Sequence, residues 1–407
     1  MSKINIKQTE IGEIPKDWEL LAIDDVAEVV GGGTPSTKDP SYFGGNIPWI
    51  TPKDLSNFHS RYISRGERNI TQKGLEESSA KLLPPNAVLL TTRAPVGYVA
   101  IAKNEVTTNQ GFRSLIPRHN VISEYLYYLL KINTERLKSN ASGTTFGELS
   151  GSTLKSLKFP FPQIEEQRAI AKIISDLDDK IELNHQMNKT LESIAQAIFK
   201  RWFVDFEFLA HKKVKFVNGL PEGWHEGKLI DICDIVMGQS PPGETYNESG
   251  EGTVFYQGNR DFGFRFPTPR VYCTAPTRMA EAGDILISVR APVGALNITP
   301  EQCAIGRGVA ALRMKHYSNG FLFYFLVTKK DLWNRFNSEG TVFGCLNKAE
   351  FHKVSLVIPS DIIMRQFDVI IKPIEAMILK NEQESCRLAE IRDSLLPRLM
   401  SGKIRVN

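Results

Sequence analysis

QIEEQRAIAKIISDLDDKIELNHQMNKTLESIAQAIFKRWF, residues 163–203, is the stretch that decides the fold. It contains no Gly or Pro. Its seam positions recur every seven residues in two interleaved series: Ile170, Leu177, Asn184, Leu191 and Ile198, and Ile174, Ile181, Asn188, Ala195 and Trp202. Steps of three and four place both series on one face of an α-helix, which is the pattern of a coiled-coil seam. Such a helix is about 60 Å long, so we expect it to need a partner helix that covers this face.

A second stretch of the same chain, residues 361–400, repeats the pattern with an offset of 197 residues (378 − 181 = 197). Both stretches carry a polar pair in the middle of the seam: Asn184 and Asn188 in the first, Asn381 and Ser385 in the second. If the two helices pair antiparallel, these midpoints meet. We hypothesise that the polar layer sets the helix register, because a slipped register would leave polar groups unpaired. A water-filled gap in the seam is the alternative.

The same offset extends beyond the helices, so the chain contains an internal repeat. Arg-Ala-Pro-Val-Gly occurs at residues 93–97 and again at 290–294, and Gly-Thr-Thr-Phe-Gly at 143–147 corresponds to Gly-Thr-Val-Phe-Gly at 340–344. A Pro-x-x-Trp motif ends at Trp18 in the first copy and at Trp224 in the second, with an offset of 206 residues (224 − 18 = 206). The repeat therefore predicts, in each copy, a globular unit followed by a long helix.

The fold class predicted from this organisation is α+β: two repeated globular domains separated by a long antiparallel two-helix coiled coil, with an internal pseudo-two-fold. Buried strands are expected at residues 87–92, 96–102, 112–117, 284–289, 294–298 and 309–314, and aromatic-rich helices at 123–139 and 319–338. The predicted domains are residues 1–160 and 209–359, and the predicted long-helix segments are residues 161–208 and 360–407.

Composition excludes several classes of protein. The 407 residues contain no run of eighteen apolar residues and no apolar signal core at the N-terminus, so neither a membrane span nor export is expected. The five cysteines are widely spaced and form no Cys-x-x-Cys pair, which fits a reducing cytoplasm. A net charge of +4 permits nucleic-acid binding without requiring it.

Catalytic and cofactor motifs are missing from the sequence. It has no phosphate-binding Gly-x-x-x-x-Gly-Lys-Ser/Thr loop, no dinucleotide-binding glycine pattern and no His-Glu-x-x-His. It also lacks the Asn/Asp-Pro-Pro-aromatic loop of adenine methyltransferases. We therefore predict no catalytic residue, no metal site and no cofactor bound to this chain.

Nucleic-acid binding is better supported, because arginine can pair bidentately with phosphate or with guanine. In residues 260–270 arginines alternate with aromatic residues, and Arg93 and Arg290 each end a strand beside a Pro-Val-Gly turn. The Gly-Thr-Thr-Phe-Gly loop offers hydroxyl and N–H groups for phosphate. The candidate DNA contacts are Lys38, Lys53, Arg61, Arg65, Arg93, Arg113, Thr145, Phe146, Arg260, Arg265, Arg270, Arg290 and Arg307. For these residues, exposed solubilising charge, structural pairing or burial of the Phe ring remains an open alternative.

The two copies differ mainly in residues 31–80 and 237–280, as expected of one scaffold that presents two different recognition surfaces. The end of the first helix is rich in aromatic residues. Phe199, Trp202 and Phe203 are candidates for binding a protein partner, with packing against the second globular unit as the alternative.

The order of these parts resembles the DNA-specificity (S) subunit of type I restriction–modification enzymes, and the likeness covers almost the whole chain. The resemblance implies two target-recognition domains on double-stranded DNA and two methyltransferase (M) subunits that bind S-adenosylmethionine. A motor/nuclease (R) subunit is a further candidate partner. One departure is Ala304-Ile-Gly-Arg-Gly308, where the first copy has Thr108-Asn-Gln-Gly111.

The expected function is recognition of a bipartite, asymmetric target without catalysis. Each domain would read one half-site, and the helices would hold the half-sites about one DNA turn (~34–36 Å) apart. Two alternatives stay open at this point. One is an enzyme with a fused methyltransferase or nuclease, and the other is a coiled-coil scaffold that binds only proteins.

Overall fold

The computed structural model describes residues 5–56, 58, 60–142, 147–338 and 345–406. The chain forms two compact units. Unit 1 comprises the described residues up to Leu183 together with those from Ser385 onward, and unit 2 comprises Asn184–Glu384. Each long helix is therefore shared between the units at its middle. The four domain segments expected from the sequence use other boundaries and remain a prediction.

Unit 1 mixes short strands with short helices. Its strands are β1 (Ile6–Thr9), β2 (Gly12–Pro15), β3 (Glu19–Ala22), β4 (Ala27–Gly31), β5 (Phe43–Ile50), β6 (Tyr62–Ile63), β7 (Arg68–Ile70), β8 (Val88–Thr92), β9 (Val96–Ala102), β10 (Thr107–Thr108), β11 (Phe112–Pro117) and β12 (Lys158–Phe161). Its helices are α1 (Ile23–Val26), α2 (Pro52–Leu55), α3 (Gln72–Glu76), α4 (Ser123–Ile132), α5 (Thr134–Ser139), α6 (Gly151–Ser156) and the first half of α7 (Ile164–Phe203).

A five-stranded sheet in the order β4-β11-β8-β9-β6 forms the centre of unit 1. The sequence of β8 is apolar followed by two threonines, and all five of its residues are buried. Helix α4 contributes six consecutive buried residues, Tyr125–Leu130, to the same core. A smaller sheet in the order β10-β5-β7 carries part of the divergent stretch.

Unit 2 repeats this plan. Its strands are β13 (Phe216–Val217), β14 (Leu220–Pro221), β15 (His225–Lys228), β16 (Cys233–Met237), β17 (Tyr246–Asn247), β18 (Thr253–Tyr256), β19 (Tyr272–Cys273), β20 (Met279–Ala280), β21 (Ile285–Ser288), β22 (Leu296–Ile298), β23 (Cys303–Ile305), β24 (Val309–Met314) and β25 (Ser355–Ile358). Its helices are the second half of α7, α8 (Leu229–Ile232), α9 (Gly320–Thr328), α10 (Lys330–Ser338), α11 (Lys348–Lys353) and the first part of α12 (Asp361–Met400), whose remaining residues belong to unit 1. The central sheet has the order β16-β24-β21-β22.

The α7 and α12 segments run antiparallel within each unit. In unit 1, Ile170 and Ile174 of α7 lie in one core with Leu396 and Leu399 of α12. In unit 2, Phe199 of α7 contacts Phe367 of α12 edge to face, with ring centroids 6.0 Å apart. Of the ten seam residues predicted for α7, four are partly buried and six are buried, namely Ile170, Ile174, Asn184, Asn188, Ala195 and Trp202.

The polar pair in the middle of α7 is buried in unit 2. Asn381 Nδ2 donates to Asn188 Oδ1 at 2.8 Å, and Asn188 Nδ2 donates to Glu382 at 2.8 Å. Asn184 Nδ2 donates to Glu384 at 2.9 Å. Ser385, the fourth residue of the predicted layer, is also buried. Direct amide-to-amide and amide-to-carboxylate bonds thus occupy this layer, while its role in setting register remains a hypothesis.

Most predicted elements agree with the structure. The first long helix begins one residue later than Gln163, and the strands at residues 96–102, 112–117 and 309–314 match in full. The two aromatic-rich helices are each divided, at Asn133 and at Lys329, where the predictions had continuous helices. Helix α12 continues past Pro397 to Met400, and Gly402 follows with a φ of +68°, as expected of a C-terminal glycine.

Candidate DNA-recognition site

The two units use the same hydrogen bonds to hold a group of turns at one end of the central sheet. Gly33 N donates to Thr108 O at 2.8 Å, and Gln239 N donates to Ile305 O at 3.0 Å in the corresponding place. Asn109 N donates to Ile50 O at 3.0 Å, and Gly306 N to Tyr256 O at 2.9 Å. The backbone frame is thus shared although the side chains differ.

Glycine is required where two of these turns meet. A Cβ atom on Gly32 would collide with the carbonyl oxygen of Asn109, and one on Gly238 would collide with the carbonyl oxygen of Gly306. Backbones can approach this closely only where no side chain intervenes. The shared glycine therefore fixes the position of the neighbouring turn in both units.

That neighbouring turn presents one exposed side chain in each unit. Phe112 N donates to Asn109 O at 3.2 Å, and Val309 N donates to Gly306 O at 2.9 Å, which closes the two turns in the same way. The side chain at the tip is Gln110 in unit 1 and Arg307 in unit 2, and both are exposed. In unit 1 the Thr34 hydroxyl hydrogen-bonds to Gln110 Oε1.

In unit 2 the turns surround a polar cleft of about 510 Å³. Its lining combines cationic, amide and hydroxyl side chains with exposed backbone: Ser240, Pro241, Tyr246, Gln257, Gly258, Asn259, Arg290, Ala291, Arg307 and Gly308. Arg290 and Arg307 are exposed, and neither forms an ion pair with a residue that the structure describes. Among the described residues the lining contains no carboxylate and two arginines, which suits an anionic ligand.

The corresponding arginine of unit 1, Arg93, has a carboxylate nearby. Arg93 lies 3.9 Å from Glu148 and Arg113 lies 3.8 Å from the same carboxylate. All three side chains are partly exposed. Arg93 and Arg113 thus converge at the end of the unit 1 sheet, where a phosphate could replace Glu148 as their partner.

The remaining candidates of the divergent stretches differ in their surroundings. Lys38, Arg65 and Arg260 are exposed. Lys53 pairs with Glu67 at 2.8 Å on the surface. Arg270 is held by Asp261 at 2.8 Å and by Glu248 at 3.0 Å, and the hydrogen bond to Asp261 raises the pKa of this guanidinium.

Arg265 has a different environment, because only 1% of its side chain is exposed. Its Nη1 atom donates to both carboxylate oxygens of Glu375 at 2.9 and 3.0 Å, and it also pairs with Glu192. The guanidinium lies 4.0 Å from the centroid of the Phe323 ring. Arg265 is therefore an internal link between the divergent stretch and both long helices, not a surface arginine.

Arg61 has the same kind of environment in unit 1. Its side chain is 7% exposed, pairs with Asp179 of α7 at 2.7 Å and donates to Tyr128 Oη at 3.0 Å. Tyr128 in turn donates to Asp178 at 2.7 Å, and Asp178 accepts from Arg392 of α12 at 2.7 Å. Burial raises the pKa of Tyr128, so this hydroxyl is a hydrogen-bond donor at neutral pH. Neither Arg61 nor Arg265 is available on the surface of its unit.

Two candidates, Thr145 and Phe146, lie outside the described residues. The aromatic cluster at the end of α7 belongs largely to the core of unit 2. Phe199 and Trp202 are 3% and 5% exposed, which favours packing over partner binding for these two residues. Phe203 is half-buried and lines a groove of about 660 Å³ together with Phe321 and Phe325.

No cluster of three or more His, Cys, Asp or Glu suited to a metal ion occurs in the described part of the chain. Among the described helices, none combines the length and the apolar character that a membrane span requires.

Sequence reasoning missed four side chains of the cleft and its counterpart: Gln110, Ser240, Gln257 and Asn259. Aligning the copies at the offset of 197 residues would have pointed to Gln110, since it places Gln110 opposite Arg307 (307 − 110 = 197).

Comparison with known proteins connects these turns to a family. The model of the type I restriction modification DNA specificity domain matches twice, at residues 15–193 and 221–384. The chain is 39% identical over 420 residues to the type I restriction enzyme MjaIX specificity subunit of Methanocaldococcus jannaschii, covering 98% of this chain and 96% of that protein. It is 31% identical over 424 residues to the putative MjaX specificity subunit of the same organism, covering 99% and 97%.

A solved structure shares the fold. The crystal structure of the type I restriction–modification S subunit from M. genitalium superposes with a TM-score of 0.63 at 21% identity, covering 94% of this chain and 96% of that chain. Specificity subunits recognise DNA sequence and are not themselves catalytic, which agrees with the missing catalytic motifs. With two family domains and relatives matched over nearly their whole length, the chain belongs to the type I restriction–modification DNA-specificity family.

Proposed function

We propose that each unit reads one half of a bipartite, asymmetric double-stranded DNA target through the turns at the end of its central sheet. The observation that carries the proposal is the cleft of unit 2, where Arg290 and Arg307 are exposed without a described carboxylate partner. Guanidinium and amide groups on a rigid frame are the groups that contact phosphates and base edges.

The candidates that are exposed or partly exposed form the proposed contact surface of each unit. They are Lys38, Lys53, Arg65, Arg93, Arg113, Arg260, Arg270, Arg290 and Arg307. Thr145 and Phe146 remain candidates from sequence alone. Burial in ion pairs argues for a structural role for Arg61 and Arg265 instead. The differing stretches at residues 31–80 and 237–280 support two unlike half-sites.

The long helices are proposed to act as a spacer between the half-sites. Their length, 40 residues each, corresponds to about 60 Å of helix. We further propose that the chain binds two methyltransferase subunits. S-adenosylmethionine binds to those subunits and not to this chain. A nuclease subunit joins the complex, which acts in the cytoplasm. The half-buried Phe203 and its apolar groove are candidates for one docking contact.

Two binding measurements test this function against the alternatives. Calorimetry should detect S-adenosylmethionine binding to the complex with methyltransferase subunits and none to the isolated chain. Binding by the isolated chain would favour a fused methyltransferase. A gel-shift titration with target-containing duplex should show a complex that weakens steeply with salt. A chain that assembles with methyltransferase subunits but shifts no DNA would instead be a protein scaffold.

A further inference from the structure

One turn differs between the units in side chain but not in backbone. Residues 109–112 and 306–309 are closed by equivalent hydrogen bonds, and each turn is attached to the strand beside it by another equivalent bond. Its exposed tip residue is Gln110 in one unit and Arg307 in the other. The turn therefore holds two different side chains in the same place on the same frame.

Its neighbour, by contrast, is identical in the two units. Arg93 and Arg290 both stand in an Arg-Ala-Pro-Val-Gly turn, and in both turns the Ala-Pro bond is cis. A residue shared by two units that read unlike sequences suits a feature common to all DNA, which is the phosphate backbone. A residue that differs between the units suits a feature that differs between the half-sites, which is the base.

The side chains of Arg307 and Gln110 favour different bases, because their hydrogen-bonding groups differ. A guanidinium donates two parallel hydrogen bonds to O6 and N7 of guanine, whereas a glutamine amide accepts from N6 and donates to N7 of adenine. We propose that Arg307 reads a guanine in one half-site and that Gln110 reads an adenine at the corresponding position of the other. This inference rests on the proposed function and adds the identity of one base in each half-site.

Both side chains have hydrogen-bonding groups available for contact with a base. The Thr34 hydroxyl contacts Gln110 Oε1, which orients the amide, and a carbonyl oxygen keeps a second lone pair for adenine N6. Arg307 forms no ion pair with any described residue, so its N–H donors remain available. The turn that carries it is closely packed, since a Cβ on Gly308 would collide with the carbonyl oxygen of Gln257.

The test exchanges the two residues in the assembled complex with methyltransferase subunits. Competition binding uses duplexes in which each base pair of the wild-type target is replaced in turn. Arg307→Gln should lower the preference for guanine at one position about ten- to a hundredfold, with adenine now preferred there. Gln110→Arg should shift one position of the other half-site from adenine to guanine. Each variant should leave the opposite half-site unchanged, which provides the internal control.

A charge-preserving variant separates base reading from general attraction. Arg307→Lys keeps the positive charge but loses the two-pronged geometry, so it should weaken discrimination at the same position without creating a preference for adenine. The inference is overturned if the exchanged variants keep the wild-type preferences at every position. Failure of the wild-type complex to prefer any sequence would instead refute the proposed function. Each exchange tests its own half of the inference, and an unchanged preference in either half overturns that half.

Discussion

Arg265 donates from one nitrogen to both carboxylate oxygens of Glu375, at 2.9 and 3.0 Å, across 110 residues of sequence. Tyr324 Oη donates to the same carboxylate at 2.6 Å. In unit 1, Arg61, Tyr128 and Asp179 form a comparable arrangement. A stretch that differs between the units is thus attached by an arginine to a long helix in each unit.

Removing Arg265 should therefore destabilise unit 2 strongly. Arg265→Met leaves the largely buried carboxylates of Glu375 and Glu192 without their partner, and such a loss costs about 3–5 kcal/mol. Denaturant unfolding measures this difference. Arg260→Met is the matched control, since Arg260 is exposed and its loss should change stability by less than about 0.5 kcal/mol. Equal midpoints for both variants would show that the buried ion pairs contribute nothing.

The amide layer of unit 2 gives a second prediction. Replacing Asn184 and Asn381 by Leu should make the seam more apolar but remove the hydrogen bonds that distinguish one register from a slipped one. Distances between spin labels at Lys189 and Lys380 should form one narrow distribution in the wild type and a broad or shifted one in the variant. A distribution that stays narrow and unmoved would mean that the apolar residues alone set the register.

Stability of unit 1 should depend on acid through Asp17. Arg405 donates to Asp17 at 2.5 and 3.0 Å, and this hydrogen bonding holds the pKa of the carboxyl below its ordinary value of 3.8. Because the folded state then binds fewer protons than the unfolded state, the stabilisation is present above pH 3.8 and is lost as pH falls through the lowered pKa. Asp17→Asn should remove this part of the pH dependence of unfolding. A variant as acid-sensitive as the wild type would exclude the contribution.

Arg290 should behave as a phosphate contact. Arg290→Ala should weaken binding of the methyltransferase complex to all duplexes alike and reduce the slope of log K against log salt by about one. Arg278→Ala is the control, because Arg278 is exposed in the same unit but does not line the cleft. A change in base preference at a single position, with the salt slope unaltered, would identify Arg290 as a base-reading residue.

Much of this architecture follows from the sequence, because a long helix and an internal repeat are encoded in local spacing. The seven-residue pattern predicts α7 to within one residue of its start, and β9, β11 and β24 are predicted with their full bounds. Burial of the arginines could not be predicted in this way. Arg61 forms an ion pair with a carboxylate 118 residues away in sequence. Its sequence neighbourhood, a polar and glycine-containing stretch, is the same as that of the exposed Arg65.

Candidate residues could be named from the sequence where the two copies are identical and less readily where they differ. Arg93 and Arg290 are candidates because the motif around them recurs unchanged. Gln110 was missed because a lone exposed amide carries no signal by itself. The 197-residue offset pairs it with Arg307, and the backbone hydrogen bonds show that the two residues occupy equivalent turns.

Long-read methylation mapping of a host that carries this chain with its methyltransferase subunits tests the central claim most directly. Two reading surfaces on a repeated frame predict that methylated sites consist of two unlike half-sites separated by a spacer of constant length and free sequence. A single continuous motif, or two identical half-sites arranged as a palindrome, would contradict the account.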